Sequence, residues 1–467
     1  MTQISTKPPS GMRDFLAPDL ARRRHAIAVI RRVYESFGFA PLETPTIENL
    51  STLLGKYGPE GDQLLYRILH RRERLARALE PKADGSRPTE LDLADEGLRY
   101  DLTVPLARVV ANYPELPAFY KRYQIQPVWR ADRPAKGRFR EFFQCDVDVC
   151  GTKSLVAEAE VCGAVATVLL ELGFAKPGQP AGSFRILVNH RELLRAMVAE
   201  AGIDAALEGV ALIALDKLDK IGADGVLAEL VAKGIGAGAA AKLLEVLAAA
   251  RAPGFLAARA GAATRPGSAA AKELVELLAI AAAGPAGPHL AFDPTLARGL
   301  SYYTGPIFEI AVDGLAGSMG GGGRYDGLIG MFTKRQIPAV GFSLGLERVL
   351  LVMEERGMFP PLATGPELLL CRFPDVSAAD AIRVATQLRA ERIRPDGARE
   401  RGLRVELFAD APAIGKQLQY ANAIGAPFAG LLGSDELAQQ SLTLKKLATG
   451  EQKTLPLAAV AASVRSG

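Results

Sequence analysis

The segment FYKRYQIQPVWRADRPAKGRFREFFQCDVDVCG, residues 119–151, restricts the possible folds of this chain more than any other. Its second half alternates polar and apolar side chains. In an extended chain, that alternation puts Gln144, Asp146 and Asp148 on one face. RPAKG supplies a hairpin tip between this stretch and the aromatic-rich extended stretch before it. A single antiparallel hairpin then presents arginines, aromatic rings and carboxylates together. Arg130, Arg138 and Arg140 lie beside Asp132, Asp146 and Asp148, with Trp129, Phe142 and Phe143 between them. Such a surface can hold a nucleotide, with Arg on phosphate, a ring on the base and carboxylates on an amine. A solvated hairpin laced with surface ion pairs is the other reading.

The chain has 467 residues, enough for about two to four domains. Apolar residues make up 49% and charged residues 23%, both near the globular average, which argues against gross disorder. No apolar run reaches the roughly 18–20 residues needed to cross a bilayer. The opening MTQISTKPPSGMRDF has no apolar core of the signal-peptide kind. Four cysteines do not make a disulfide framework. A cytoplasmic, reducing setting is expected, with no membrane association. The net charge of +4 is compatible with nucleic acid without demanding it.

Four blocks are expected. Residues 1–190 and 286–360 are mixed in character and form two parts of one core. Between them, 191–285 is Ala- and Leu-rich with helical periodicity, and reads as an inserted helical subdomain. After the Pro-containing stretch MFPPLATGP, residues 366–467 alternate strand-like and helix-like segments, the rhythm of a small α/β domain with a mostly parallel sheet. In the first block, ARRRHAIAVIRRVYESFG predicts a helix ending at Gly38. Residues 66–97 read as a charged surface loop.

Three further signals are weaker. LARGLSYYTGPIFEI places Arg298 beside two tyrosines on a strand. Pleating would send Tyr302 and Tyr303 to opposite faces, with core packing expected for one of them. GSMGGGGRYDGL lets the backbone approach something closely but lacks the Gly-Lys-Ser/Thr of a P-loop, and read alone it is a flexible hairpin turn. In AVGFSLGLERVL, Arg348 sits in an apolar stretch and needs a partner, either a buried carboxylate or a ligand phosphate. Cys145 and Cys150 have no second pair nearby and the four histidines are scattered, so neither protein-bound zinc nor a covalent nucleophile is expected.

Taken together these segments closely resemble the histidyl-tRNA synthetase family of class II aminoacyl-tRNA synthetases. PSGMRDF looks like its N-terminal signature, GFAPLETPTIE like motif 1, WRADRPAKGRFREFFQ like motif 2 and GFSLGLERVL like motif 3. ARGLSYYTG and GGRYDGL look like the histidine-specific signatures, and GKQLQYA and LGSDELAQQSLTLKKLATGEQ like the anticodon-binding domain.

The resemblance implies an α+β fold: a class II antiparallel-sheet catalytic core with an inserted helical subdomain, then a C-terminal α/β anticodon-binding domain. It implies a homodimer that uses ATP with Mg²⁺, L-histidine and tRNA(His). By the same resemblance Arg130 binds the ATP α-phosphate, Phe142 stacks on adenine, Arg348 holds the γ-phosphate and Asp132 belongs to the ATP site. Asp101 and Gln144 take the substrate's amino group. Asp148 and Tyr303 bond the imidazole nitrogens, Tyr302 lies in the same pocket, and Arg298 is the catalytic arginine. Asp132, Asp101 and Asp148 stand where Glu is common, and Ser301 where RGLDYY has an acid; these departures resemble the eukaryote-like branch. A non-catalytic paralogue, the regulatory subunit of ATP phosphoribosyltransferase, is the competing reading. It generally lacks the C-terminal domain and the catalytic residues.

Overall fold

The computed structural model describes residues 4–82, 84–175, 184–297, 302–315, 317–393, 399–410 and 412–466. These fall into two compact units: residues 1–14 with 23–359, and residues 15–22 with 360–467.

The first unit is built on one eight-stranded sheet. In chain order its strands are β1 (Ala40–Pro41), β2 (Tyr120–Trp129), β3 (Glu141–Cys150), β4 (Phe184–His190), β5 (Leu290–Phe292), β6 (Pro306–Val312), β7 (Gly320–Arg324) and β8 (Ala339–Gly345). In space the order is β1-β2-β3-β8-β7-β6-β4-β5. Only the two outermost junctions, β1 with β2 and β4 with β5, are parallel. The central five are antiparallel.

Alternation along β3 gives the sheet two different faces. Cys145, Val147 and Val149 are fully buried on the apolar face. They join a core that includes Ala26, Ile30, Val33 and Tyr34 of α1 (Ala17–Ser36) and Val161, Val165 and Val168 of α3 (Val156–Glu171). Spacings of three and four residues keep these side chains on one stripe of each helix. Burying each large aliphatic group contributes roughly 1.5–3 kcal/mol. Gly38, at φ +79, ends the turn after α1 in the left-handed region that a side chain would disfavour. The opposite, polar face carries Gln144, Asp146 and Asp148.

The glycine run is not a turn. Gly320–Gly323 lies within β7, between β6 and β8. Side-chain patterning cannot show such a strand, because a glycine run has no side chains to alternate. β7 is anchored at its end by Arg324, which donates two parallel hydrogen bonds to the fully buried Glu158 of α3, at 2.5 and 2.8 Å. Breaking a buried pair of this kind costs roughly 3–5 kcal/mol.

Residues 66–97 also differ from the expected loop. A short strand at Ala94–Leu98 pairs with both Ile47–Asn49 and Arg67–Leu69 in a three-stranded sheet, with a helix at Arg72–Ala78 between Arg67–Leu69 and the central strand in sequence. The charges pair locally, Arg74 with Asp95 and Lys82 with Asp92, so a polar sequence can still be ordered.

Helices run from Arg191 to Ala281: α4 (Arg191–Glu200), α5 (Glu208–Leu215), α6 (Leu218–Ala232), α7 (Ala237–Ala250), α8 (Phe255–Gly261) and α9 (Ser268–Ala281). Asp204 and the His190 imidazole each accept a backbone N–H at a helical start in this stretch.

The second unit has its own cores on both faces of a five-stranded sheet. β9 (Leu368–Arg372) lies between β10 (Val405–Leu407) and β11 (Phe428–Leu432), and both pairings are parallel. β12 (Ser441–Lys446) and β13 (Gln452–Pro456) extend it antiparallel. The sheet is therefore mixed, not mostly parallel, because the last two strands form a hairpin.

Candidate active site

A cavity of about 870 Å³ opens on the polar face of the eight-stranded sheet. Sheet register explains what lines it. Arg122 of β2, Asp148 of β3, Gly341 of β8 and Gly323 of β7 form one row across neighbouring strands. Gln124, Asp146, Ser343, Gly321 and Glu309 form the next row. The glycines leave the floor low where the rows carry long side chains on either side. A Cβ at Gly341 would lie 1.8 Å from Asp148 Oδ1, and one at Gly323 would lie 2.8 Å from the Tyr303 ring.

At one end of the cavity are guanidinium groups. Arg130, just after β2, donates to Tyr100 O at 3.1 Å and to Gln144 Oε1 at 3.4 Å. It stands over the rings of Tyr100, at 4.2 Å, and Phe142, at 5.1 Å. Asp132 pairs with Arg138 at 2.8 Å. Arg348, in the first turn of α10 (Leu346–Glu355), donates to the carbonyl of Ser318. Burial, with Arg138 nearby, lowers its pKa, and Glu309 opposes the shift. No carboxylate is hydrogen-bonded to this guanidinium among the described residues. The neighbouring Glu347 is instead spent on Arg23, at 2.9 Å, and on the backbone N–H of Phe143, also at 2.9 Å.

At the other end are carboxylates and phenols. Asp101, buried, accepts the Val104 N–H at 3.0 Å in the first turn of α2 (Thr103–Asn112). Its oxygens also accept the hydroxyls of Tyr57, at 3.1 Å, and Tyr302, at 3.4 Å. Burial raises its pKa against the opposing pull of the Val104 N–H and Arg130. Asp148 accepts the Tyr325 hydroxyl at 2.5 Å and lies 2.9 Å from the Arg122 guanidinium. Its Oδ2 is close enough for an ion pair but has no aligned hydrogen-bond donor among the described residues. Burial raises its pKa, while Arg122 and Tyr325 oppose the shift. Between the ends, Gln144 donates to Ser343 Oγ at 2.7 Å. Burial is the main reason Asp146 is pushed up to about 7, with Arg122 opposing and Asp148 adding to the rise.

Tyr302 and Tyr303 both line this cavity, contrary to the pleat expectation. The reason is local: β6 begins only at Pro306, so the tyrosines lie in a turn and are not bound by strand alternation. Their rings meet edge to face, with centroids 5.0 Å apart. The structure thus gathers Asp101, Arg130, Asp132, Phe142, Gln144, Asp148, Tyr302, Tyr303 and Arg348 around one space. Arg298 and Ser301 lie outside the described residues. Ala297 and Tyr302, on either side of that segment, both line the cavity.

Cysteine chemistry is absent from this space. All four cysteines are buried, and burial raises the thiols of Cys145, Cys150 and Cys162. Among the described residues no group of three or more His, Cys, Asp or Glu could hold a metal ion.

Comparison with known proteins matches this arrangement to one family. The family model described as histidyl-tRNA synthetase matches residues 94–349, and the anticodon binding domain model matches residues 376–466. A histidine–tRNA ligase of Porphyromonas gingivalis is 42% identical over 456 residues, covering 96% of each chain. The chain belongs to the histidyl-tRNA synthetase family. A Gloeobacter violaceus histidine–tRNA ligase is 38% identical, again covering 96% of each. The crystal structure of histidyl-tRNA synthetase from a Nostoc species superimposes with a TM-score of 0.75 at 28% identity, covering 99% of this chain and 100% of that one.

In this histidyl-tRNA synthetase family member, three cavity groups and one buried arginine paired with Asp148 escaped the reading of the motifs as site residues. Asp146 shares the face already read for Gln144 and Asp148. Tyr325 belongs to GGRYDGL, whose register only the sheet reveals. Arg122 lies on a strand whose alternation continues upstream of motif 2. Tyr57 had no sequence signal, because a lone tyrosine in a polar stretch looks like many others.

Proposed function

We propose that this chain activates L-histidine with ATP to histidyl-adenylate and diphosphate, then transfers the histidyl group to tRNA(His) with release of AMP. One observation carries the reading. Two guanidinium groups with a neighbouring aromatic ring, and a buried carboxylate–phenol set, share a single cavity. The first set matches a nucleoside triphosphate and the second matches an amino acid with a ring that donates hydrogen bonds.

The roles are those the family resemblance implies, and the shared cavity supports them for the residues it gathers. Arg130 takes the α-phosphate, Phe142 the adenine and Arg348 the γ-phosphate. Asp132 orients the ATP-site arginine Arg138. Asp101 and Gln144 receive the α-amino group. Asp148 and Tyr303 take the two imidazole nitrogens, with Tyr302 packed beside them. The histidine carboxylate attacks the α-phosphorus in line and diphosphate leaves. Arg298 and Arg130 stabilise the charge that spreads over the phosphate oxygens. No protein nucleophile is needed. A site that bonds both ring nitrogens leaves buried groups unpaired with any other amino acid, and such sites discriminate by about 10⁴–10⁵.

Mg²⁺ fits as an ion that arrives with the nucleotide. It takes hard oxygen ligands, mostly from phosphate, and Glu309 is the carboxylate near Arg348 that could add one. When bound it neutralises charge on the β- and γ-phosphates.

The assembly is read as a cytoplasmic homodimer. Residues 1–190 and 286–360 form the catalytic core, 191–285 the helical insertion and 366–467 the anticodon-binding domain. No described helix is long and apolar enough to cross a membrane.

Exchange of labelled diphosphate into ATP should require histidine and no other amino acid. Absence of exchange with folded protein would defeat the reading. Arg298→Ala should slow adenylate formation by roughly 10²–10³ with the fold intact, as loss of other charge-stabilising donors does. An unchanged rate would remove that role.

A further inference from the structure

One buried cation behind the cavity wall lies outside the three class II motifs. Arg122 of β2 is fully buried and faces Asp148 across the β2–β3 register. Its guanidinium lies 2.9 Å from Asp148 Oδ2 and donates to Leu102 O at 3.1 Å and to Gln124 Oε1 at 3.2 Å. Leu102 directly follows Asp101. A single nitrogen, Nη2, therefore ties the carboxylate at the imidazole end to the backbone beside the carboxylate at the amino end, while Gln124 holds Nη1. Gly341 packs against Asp148 from the opposite strand, and Tyr325 holds its other oxygen.

We propose that Arg122 is a positioning residue for histidine specificity: it supplies the counter-charge of Asp148, orients that carboxylate toward the imidazole, and sets its spacing from Asp101. The proposal rests on the reading of Asp148 and Asp101 as histidine ligands.

The surroundings explain why a counter-charge is needed there. Asp148 is faced by Asp146 and Cys150 on its own strand, Tyr325 beyond β7, Tyr34 of α1 and Arg122 of β2. Asp101, Tyr302 and Tyr303 share the cavity with it. Arg122 is the cation of this group. Burial alone would lower its pKa, but Asp148 and then Asp146 outweigh that and hold it raised. Without it, these two buried carboxylates, two residues apart, would hold a shared proton to still higher pH. Asp148 would then become a poorer acceptor for an imidazole N–H. Lysine keeps the charge but has a single nitrogen, so it cannot also make the Nη1 contact to Gln124 that fixes the plane of the guanidinium.

The test uses the full chain with Arg122→Met and Arg122→Lys, reading histidine-dependent diphosphate exchange from about pH 6 to about 9. In Arg122→Met the KM for histidine should rise about tenfold or more while the KM for ATP stays within about twofold. The acid limb of kcat/KM for histidine should move to higher pH. Arg122→Lys should restore the limb and part of the KM. If Arg122→Met fails to fold, Arg122→Lys decides alone: its histidine KM should still rise several-fold with ATP unaffected. A folded variant with an unchanged histidine KM and acid limb would overturn the proposal. So would equal losses for histidine and ATP, which mark a merely structural role. Unaltered chain that shows no histidine-dependent exchange would defeat the functional reading and this proposal with it.

Discussion

At position 341 the sheet has no room for a methyl group. The nearest atom to a Cβ there would be Asp148 Oδ1, at 1.8 Å, and the carboxylate is held from the other side by Tyr325 and Arg122. Gly341→Ala must therefore move Asp148 by an ångström or more. Misplacement on that scale costs about 10² in rate. Diphosphate exchange should show kcat/KM for histidine falling by about that factor, and an unchanged value would mean Asp148 does not grip the substrate. Residues of this kind divide in how legible they were. Arg130 and Arg348 sit inside motifs whose charge pattern alone draws attention to them. Arg122 could be found only by following the strand alternation upstream of motif 2, and Tyr57 is a single side chain to which nothing local lends a signal. Tyr302 and Tyr303 were misjudged because a strand was assumed to begin before Pro306.

β3 shows what an element adds to its residues. Its alternation was readable, and the structure adds that its polar face lies in the cavity wall with Asp146 and Asp148 both buried. The Asp146 carboxyl stands at about 7 in the folded chain against 3.8 ordinarily. The folded form then binds this proton more tightly than the unfolded form between those values. Its contribution to stability therefore falls as pH rises from about 4 to about 7, then levels off. Asp146→Asn should flatten the pH dependence of the melting temperature across that window and melt higher than the unaltered chain above about pH 7. Parallel curves would show that Asp146 is ionised throughout. β7 and the strands at residues 67–69 and 94–98 were the unreadable elements. β7 has no side chains to alternate, and the other two are too short and too charged for their periodicity to stand out.

For the whole molecule, separate hydrophobic cores in the two units imply separable work. A chain truncated after residue 359 should keep histidine-dependent diphosphate exchange, while charging of tRNA drops by roughly 10²-fold, the usual scale for losing one of two linked binding modules. Full charging would remove the anticodon-binding role proposed for residues 366–467. The strand–helix rhythm of that stretch was visible in sequence. Its mixed pairing was not, because the half-buried β12 and the exposed β13 resemble two parallel strands until partners are known.

The glycine strand under the cavity has an evolutionary consequence. A Cβ at Gly320, Gly322 or Gly323 would meet a backbone oxygen or the Tyr303 ring at 2.8 Å or less. Every missense change at these three codons adds atoms, so drift can proceed only toward obstruction. A lineage adapting this pocket to another ligand would have to do so by replacing its walls and leaving its floor unchanged.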